Sequence, residues 1–554
     1  MFRFLYFLLL FSACDSHVFI HPLSKLGVTE TIRDIDPNIK VQADPTVLQS
    51  SGSWVTVTWK GVASPSGDDW IGVYEPASAD PNASAPVKYQ FANICSSHMT
   101  NGSGTVRFRL VNTRVDIAFK FLRNGTKFPI LAAVSNVVTF KNPNEPTQVH
   151  LALTDSSSSM SVSWVSGMVS EPLVIWGTTP GHHPSVARAS YRTYNVSHMC
   201  GAPASTVGWH EPGWLIQANM IQLKSGVKYY YKVGDKKYGW SLEFSFVAAP
   251  TPDGTQRTRL IAFGDMGNGQ VDGSIQHWEE QPSLNTTANI LSELDDTDLI
   301  LHIGDISYAV GYAAEWDEFF DQIQPIASKI PYMVCMGNHE LDFPVPSSLF
   351  SGQDSGGECG IPYVYRFAMP RPSLNEPWYG FSYGNIHFVL MSTEHEFRKG
   401  SPQYNFLVNE LASVDRKTTP WLIFAGHRPM YIDSTDNGMP AGENPVAELL
   451  KDELESLLKE YSVDLALWAH HHSYQRTCPV YQKKCTPNAL THVVIGMGGQ
   501  TLEVDRKPVT PKYFVKLEDK HHGYSKIEAN ATHLDFWYIM NDVKEPFDHF
   551  VLSK

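Results

Sequence analysis

The stretch "DLILHIGDISY", residues 298–308, decides how this chain is read. An apolar run of strand length stops at Gly304 and delivers Asp305 and Tyr308, both able to bind a metal. A single Asp after a buried strand is ordinarily a turn former. Here the pattern recurs. "RLIAFGD" ends in Asp265, "PYMVCMGNHE" runs into Asn338 and His339, and "WLIFAGH" delivers His427. "VDLALWAHHHSYQR", residues 463–476, delivers His470, His471 and His472. Turn preference does not account for five apolar strands that all end in ligand-type residues. The carboxyl ends of strands form the binding rim of an α/β sheet, so these side chains are predicted to converge.

Between those strands lie helix-like segments: "NTTANILSELDD", "EWDEFFDQIQPIASK" and "NPVAELLKDELESLLKEYS". The alternation predicts an α/β domain over 257–476, closed by a β-rich C-terminal part of the same domain over 477–554. Upstream the texture differs. "SWVTVTWKG", "TVRFRLVN" and "DIAFKFLRN" alternate with period two between Gly, Asn, Ser and Pro, which predicts a fibronectin-like β-sandwich over 38–142. "KNPNEPTQ" reads as a linker, and "SMSVSWVSG", "LVIWGTT" and "VKYYYKVGD" predict a second all-β unit over 143–250, of fibronectin or immunoglobulin type. The expected fold class is therefore multidomain, with two N-terminal all-β sandwiches followed by an α/β sandwich domain. Neither β unit carries a catalytic constellation; His182 and His183 read as exposed loop residues.

The chain is too long for a single core: it has 554 residues, 42% of them hydrophobic and 18% charged. A net charge of -14 argues against a nucleic-acid-binding surface and against adhesion to anionic lipid. "MFRFLYFLLLFSACDS", residues 1–16, reads as a signal peptide, which predicts a secreted, vacuolar or lysosomal protein. No later segment is long and apolar enough to span a membrane. The sequons at Asn82, Asn101, Asn124, Asn195, Asn285 and Asn530 are glycosylation candidates. Cys478 and Cys485 bracket a short loop and are the disulfide candidates, Cys335 reads as a free core thiol, and the remaining pairing is left open.

Carboxylates, an amide, imidazoles and a phenol, without a thiolate, suit Fe, Zn or Mn. Seven such ligands exceed the needs of one ion that must also admit substrate. They suit two ions about 3.5–4 Å apart that share a carboxylate, an arrangement used for displacement at phosphorus. A tyrosinate favours Fe(III). If the histidine triplet stays extended, alternation turns His470 and His472 one way and His471 the other. His471 is then a bystander whose replacement costs little.

The blocks "GDMG", "GDISY", "GNHE", "GHRPMY" and "HHHSYQR" resemble, in order, the five signature blocks of the purple acid phosphatases, in the calcineurin-like metallophosphoesterase superfamily. "DDWIGVY", "APVKYQFAN", "QPSLNTTANI" and "DSGGECGIPY" resemble the large plant-type branch with an extra N-terminal β domain. The resemblance implies Asp265, Tyr308 and His472 on Fe(III), Asp305 as the bridge, and Asn338, His427 and His470 on a divalent Zn, Mn or Fe. It places Asn338, His339, His470 and His472 around the substrate and makes His339 the catalytic proton donor to the leaving group. The activity it implies is a secreted acid phosphatase that hydrolyses small-molecule phosphate monoesters by attack of a metal-bound hydroxide.

Two positions depart from the family pattern. The last block begins with Ala469 where Gly is usual, and "IDSTDNGMP" offers Asp436 and Asn437 where high-activity plant members carry a histidine pair. The second departure keeps two alternatives open: a phosphodiesterase or nucleotide pyrophosphatase on the same scaffold, and a catalytically weak secreted binding protein. A homodimer is one candidate assembly.

Overall fold

The computed structural model describes residues 21, 24–344 and 348–554. The expected signal peptide, 1–16, lies outside the described residues. In the strand Ser53–Lys60 the period-two pattern turns Val55, Val57 and Trp59 inward. This strand lies between Lys40–Asp44 and Gly104–Leu110 in a three-stranded sheet. A five-stranded sheet containing Trp70–Tyr74 and Ala118–Arg123 supplies the other face, with Ile71, Val73, Phe119 and Phe121. The result is the first β-sandwich.

The second β unit departs from simple alternation. Thr147–Leu153 and Met160–Ser166 are buried along their whole length. A sandwich strand reads that way when its outer face is covered as well. Here the α/β domain covers it. The His150 ring lies 4.8 Å from Phe320 and 5.6 Å from Phe367, and Leu153 N–H points at Met333 Sδ at 3.3 Å. One apolar core runs without a break from Val149 and Trp164 to Leu260, Leu301 and Val334. The Cys200–Cys359 disulfide also ties this unit to the α/β domain, a pairing the sequence left open. Cys478 and Cys485 are joined, and Cys335 is a buried free thiol, as expected. His182 is exposed, but His183 is not: its Nε2 sits 2.8 Å from the Glu243 carboxylate, which corrects the reading of the pair as exposed.

The α/β domain is built on two large sheets. The first has the order Tyr332–Cys335, Leu299–Ile303, Thr258–Phe263, Gly523–Ala529, His533–Met540, Asp548–Ser553, and its first three strands are parallel. In the second, Ile386–Leu390, Trp421–Ala425, Leu465–Trp468 and Thr491–Ile495 run parallel. Strand alternation divides the residues of the second sheet between two cores. Ile423, Leu465 and Leu467 face the core shared with the first sheet, while Leu422, Phe424, Ala466 and Trp468 pack with Leu407, Leu411 and Leu450 of the covering helices. The three segments read as helical form Pro282–Ser292, Ala314–Ala327 and a run from Glu443 to Glu460 that passes through one π-helical turn at Lys451–Glu455. Because the central strands are parallel, their carboxyl ends lie together, and the predicted ligands follow them.

Two buried glutamates set a pH dependence for this fold. Burial pushes Glu75, beside Thr113, and Glu358, beneath the Trp316 indole, up from 4.5 to about 8. The folded state thus binds protons more tightly than the unfolded chain does. The stabilising contribution is complete below pH 4.5 and is lost as pH rises through about 8. The difference in unfolding midpoint between wild type and Glu75→Gln with Glu358→Gln is therefore expected to move in favour of the variant as pH rises from 4.5 to about 8. Calorimetry of both proteins across the range measures it; a difference that does not change with pH contradicts the assignment.

Candidate active site

The ligand-bearing loops are held in conformations that L-residues seldom adopt. Asp265, Asp305, Tyr308 and His470 have φ of 56°, 47°, 51° and 69°. Each costs about 1 kcal/mol or more, and such residues persist where the surrounding structure fixes them, often at functional sites. Glycine makes room beside them. Gly304 has φ of 75°, and a Cβ there would lie 2.3 Å from His427 Nδ1. Ala469 is buried without crowding the backbone because the residue opposite it is Gly264, where an added Cβ would come within 2.4 Å of the alanine methyl.

The donors fall into two groups that share one carboxylate. In the first, Tyr308 Oη lies 3.2 Å from Asp265 Oδ1 and 3.0 Å from His472 Nε2. In the second, Asn338 Oδ1 lies 2.9 Å from His427 Nε2 and 2.8 Å from His470 Nδ1. Asp305 Oδ2 stands between them, 3.4 Å from Tyr308 Oη and 3.2 Å from His427 Nε2. All seven predicted ligands are brought together. Outward contacts fix which atom faces inward. His427 Nδ1 is held by the Ile303 carbonyl, His472 Nδ1 by the Thr501 carbonyl, and the Asn338 amide nitrogen donates to Asp354. In the neutral rings that a cation requires, the free faces are then acceptors: two imidazole nitrogens and an amide oxygen.

The electrostatics suit cations. Burial would lower His427, but Asp305 and Asp265 outweigh it and hold the imidazole at about 10. Against the same pull, Asp265 holds His472 at about 9. Carboxylates that bind a proton this firmly through a facing imidazole bind a cation by the same attraction. Burial and the Arg428 charge drive His470 well below its ordinary value, which keeps its ring neutral, as a ligand must be. The donor set therefore fits two borderline or hard ions.

Residues 41–142 match the Fn3-like domain from purple acid phosphatase, 146–248 the purple acid phosphatase N-terminal domain, 258–474 the calcineurin-like phosphoesterases, and 489–549 the iron/zinc purple acid phosphatase-like C-terminal region. A solved purple acid phosphatase from yellow lupin (Lupinus luteus) seeds superposes with a TM-score of 0.88 at 37% identity, over 94% of this chain and 96% of that one. The chain is 38% identical over 570 residues to "Probable inactive purple acid phosphatase 1" of Arabidopsis thaliana, covering 96% of this chain and 92% of the relative. The chain belongs to the purple acid phosphatase family. It is also 38% identical, over 329 residues, to a nucleotide pyrophosphatase/phosphodiesterase of Hordeum vulgare, covering 57% of this chain and 88% of that protein.

Several residues that shape this purple acid phosphatase site escaped the sequence reading. Glu340, inside the quoted "GNHE" block, accepts from Asp305 N at 3.0 Å, Ile306 N at 2.8 Å and Gly337 N at 2.9 Å. It clamps two ligand loops together. Glu340→Ala would leave three buried donors unpaired, at about 1 kcal/mol or more each. A lower thermal midpoint and weaker metal retention are expected; an unchanged midpoint would show that the loops hold themselves. Arg428, in "GHRPMY", is also buried. Its Nε lies 2.9 Å from Glu394, its Nη2 3.1 Å from Asp342 and its Nη1 3.2 Å from His470 Nε2. A charged residue directly after a ligand, at the end of an apolar strand, was the available signal.

Three expectations are corrected. The triplet is not extended: its strand ends at Trp468 and His470 is left-handed, although His470 and His472 still reach the site. His471 is no bystander. It is fully buried, with Nδ1 2.8 Å from Ser473 Oγ and Nε2 2.9 Å from Asp505. Asp436 and Asn437 do not face the site in place of histidines. Both are exposed, and the Asp436 carboxylate caps its own loop by accepting from Gly438 N and Glu443 N. The six sequon asparagines are all exposed.

Proposed function

We propose that this chain is a dinuclear-metal phosphoesterase that hydrolyses phosphate monoesters, with Asp265, Tyr308 and His472 around Fe(III), Asn338, His427 and His470 around a divalent Zn, Mn or Fe, and Asp305 between them. The observation that carries the reading is the complete donor set divided about one shared carboxylate. Two cations in that set would generate a nucleophile from water and neutralise charge on the transferring phosphoryl group. The chain's own residues supply the rest. His339 donates its backbone N–H to Asp305 Oδ1 at 2.9 Å, which places its imidazole above the shared carboxylate, with Nε2 3.9 Å from Oδ2. The Tyr308 ring, 4.5 Å away, and Trp278 confine it. From there it can protonate a departing alkoxide. The Arabidopsis relative bears the name "probable inactive"; the intact donor set supports activity here.

A second reading has its own support. With Asp436 and Asn437 turned outward, that flank offers no imidazole to a small phosphate, and the barley relative is named for diesters and nucleotides. Turnover of p-nitrophenyl phosphate, bis-(p-nitrophenyl) phosphate and ATP by metal-loaded protein distinguishes the two. Preference for the monoester supports the first reading, and preference for the diester or ATP replaces it. No hydrolysis at all would leave a binding protein. The two disulfides, the exposed sequons and the expected leader support passage through an oxidising, secretory compartment. Tyrosinate-to-Fe(III) charge transfer absorbs visible light, so the iron-loaded protein is expected to be coloured and Tyr308→Phe to bleach it at equal iron content. A colourless iron-loaded wild type would refute the Tyr308 assignment.

A further inference from the structure

The corrected place of His471 leads beyond the dinuclear centre. Its ring points away from His470 and His472 into a separate cluster. A ring nitrogen of His471, a carboxylate oxygen of Glu443 and one of Glu503 all lie within 4.8 Å of one another. Asp505 Oδ1 is 2.9 Å from His471 Nε2, and Glu503 Oε2 is 3.8 Å from Nδ1. Three carboxylates thus surround one imidazole. The neighbouring cations are engaged elsewhere: Arg428 with Glu394 and Asp342, Arg506 with Asp519, and Lys507 with Asn444.

An independent observation marks the cluster as a binding site. Glu443 is only 8% exposed, and its Oε2 is buried with no hydrogen-bond partner among the described residues. A buried carboxylate oxygen without a donor is costly, and such an atom in a native fold calls for an explanation. Ser473 hydrogen-bonds His471, Ser434 hydrogen-bonds Asp505 Oδ2, and His472 N hydrogen-bonds Glu503, but none of these reaches Glu443 Oε2. An ion would satisfy it. The side chains of Glu503 and Asp505 are 43% and 42% exposed, so a path from solvent is open.

We propose that Glu443, His471 and Glu503, with Asp505 beside them, form a second, mononuclear site for a divalent cation, distinct from the dinuclear centre. Oxygen donors with one imidazole suit Mn2+ or Zn2+. The ion would clamp three segments: the start of the helix Glu443–Leu450, the loop carrying Glu503 and Asp505, and the histidine triplet between its two centre-facing members. Because Asp505 also accepts from Ser434 and Thr435, the ion would fix the loop that lacks the histidine pair. Its role is to position the triplet, since none of its ligands faces the shared carboxylate.

The test is metal stoichiometry after dialysis of the whole protein against Mn2+ and then metal-free buffer, for wild type, Glu443→Gln and Glu503→Gln. Glu443→Gln keeps the shape and removes the charge; Glu503→Gln changes a half-exposed group and guards against misfolding of the first. Each variant is expected to hold one ion fewer than wild type, and to gain less thermal stability from added Mn2+. Repeating the pair in an Asp305→Asn background separates the two sites: the one-ion difference persists even if the dinuclear assignment fails. Equal metal content in wild type and both variants would overturn the proposal and leave His471 sharing a proton, not an ion, with its carboxylates.

Discussion

Asp305→Asn is expected to lower phosphomonoester turnover by about 10³-fold or more while leaving the fold intact. The substitution preserves shape, so the strand Leu299–Ile303 and the Glu340 clamp on residues 305 and 306 remain. What changes is the one group common to both donor sets. Asp305 Oδ2 lies between Tyr308 Oη and His427 Nε2, and Oδ1 anchors the His339 backbone. An amide removes the charge and turns one acceptor into a donor facing other donors. Both ions would lose a ligand, and His427 loses the carboxylate that most strongly supports it. Unchanged circular dichroism with collapsed turnover is the expected pair of observations. Full turnover in the variant would mean that the two donor groups do not work through Asp305.

His339→Ala is expected to reduce hydrolysis of alkyl phosphates by about 10²–10⁴-fold, the range that a positioned general acid contributes. The signature lies in the leaving group. An alkoxide needs its proton in the transition state, whereas p-nitrophenolate departs largely without one, so the loss should be much smaller for p-nitrophenyl phosphate. Kinetics on the two substrates measure this. Equal losses would show that His339 acts only by binding the phosphoryl group. His339 is held through its backbone N–H and by ring contacts, not as a ligand, so metal content should not change.

Much of this architecture was legible in the sequence because strand periodicity and strand-end chemistry are both local. "SWVTVTWKG" alternates and its strand buries every second residue; "DLILHIGDISY" and its four counterparts place their polar residues after parallel strands, where the sheet order gathers them. What escaped depends on contacts between distant segments. The burial of Thr147–Leu153 on both faces follows from the helix Ala314–Ala327 and the Tyr332–Cys335 strand packing over it, which no local pattern encodes. The Cys200–Cys359 pairing is 159 residues apart. His471 was misjudged because alternation describes which way a side chain points but not what waits there. Asp505 and Glu503 come from a loop more than thirty positions on, and Glu443 from the start of a helix before it. Arg428 and Glu340 lay inside quoted motifs yet had no assigned part, since their partners Asp342, Glu394 and the Ile306 amide are supplied by other loops.

Metal content reports whether two ions occupy the donor sets joined by Asp305. Measured in the Glu443→Gln background, which isolates the centre from the neighbouring cluster, the protein is predicted to hold two ions per chain and to fall below one when Asp305→Asn is added. A chain that never holds more than one ion, or one that keeps both without the Asp305 carboxylate, would contradict the account.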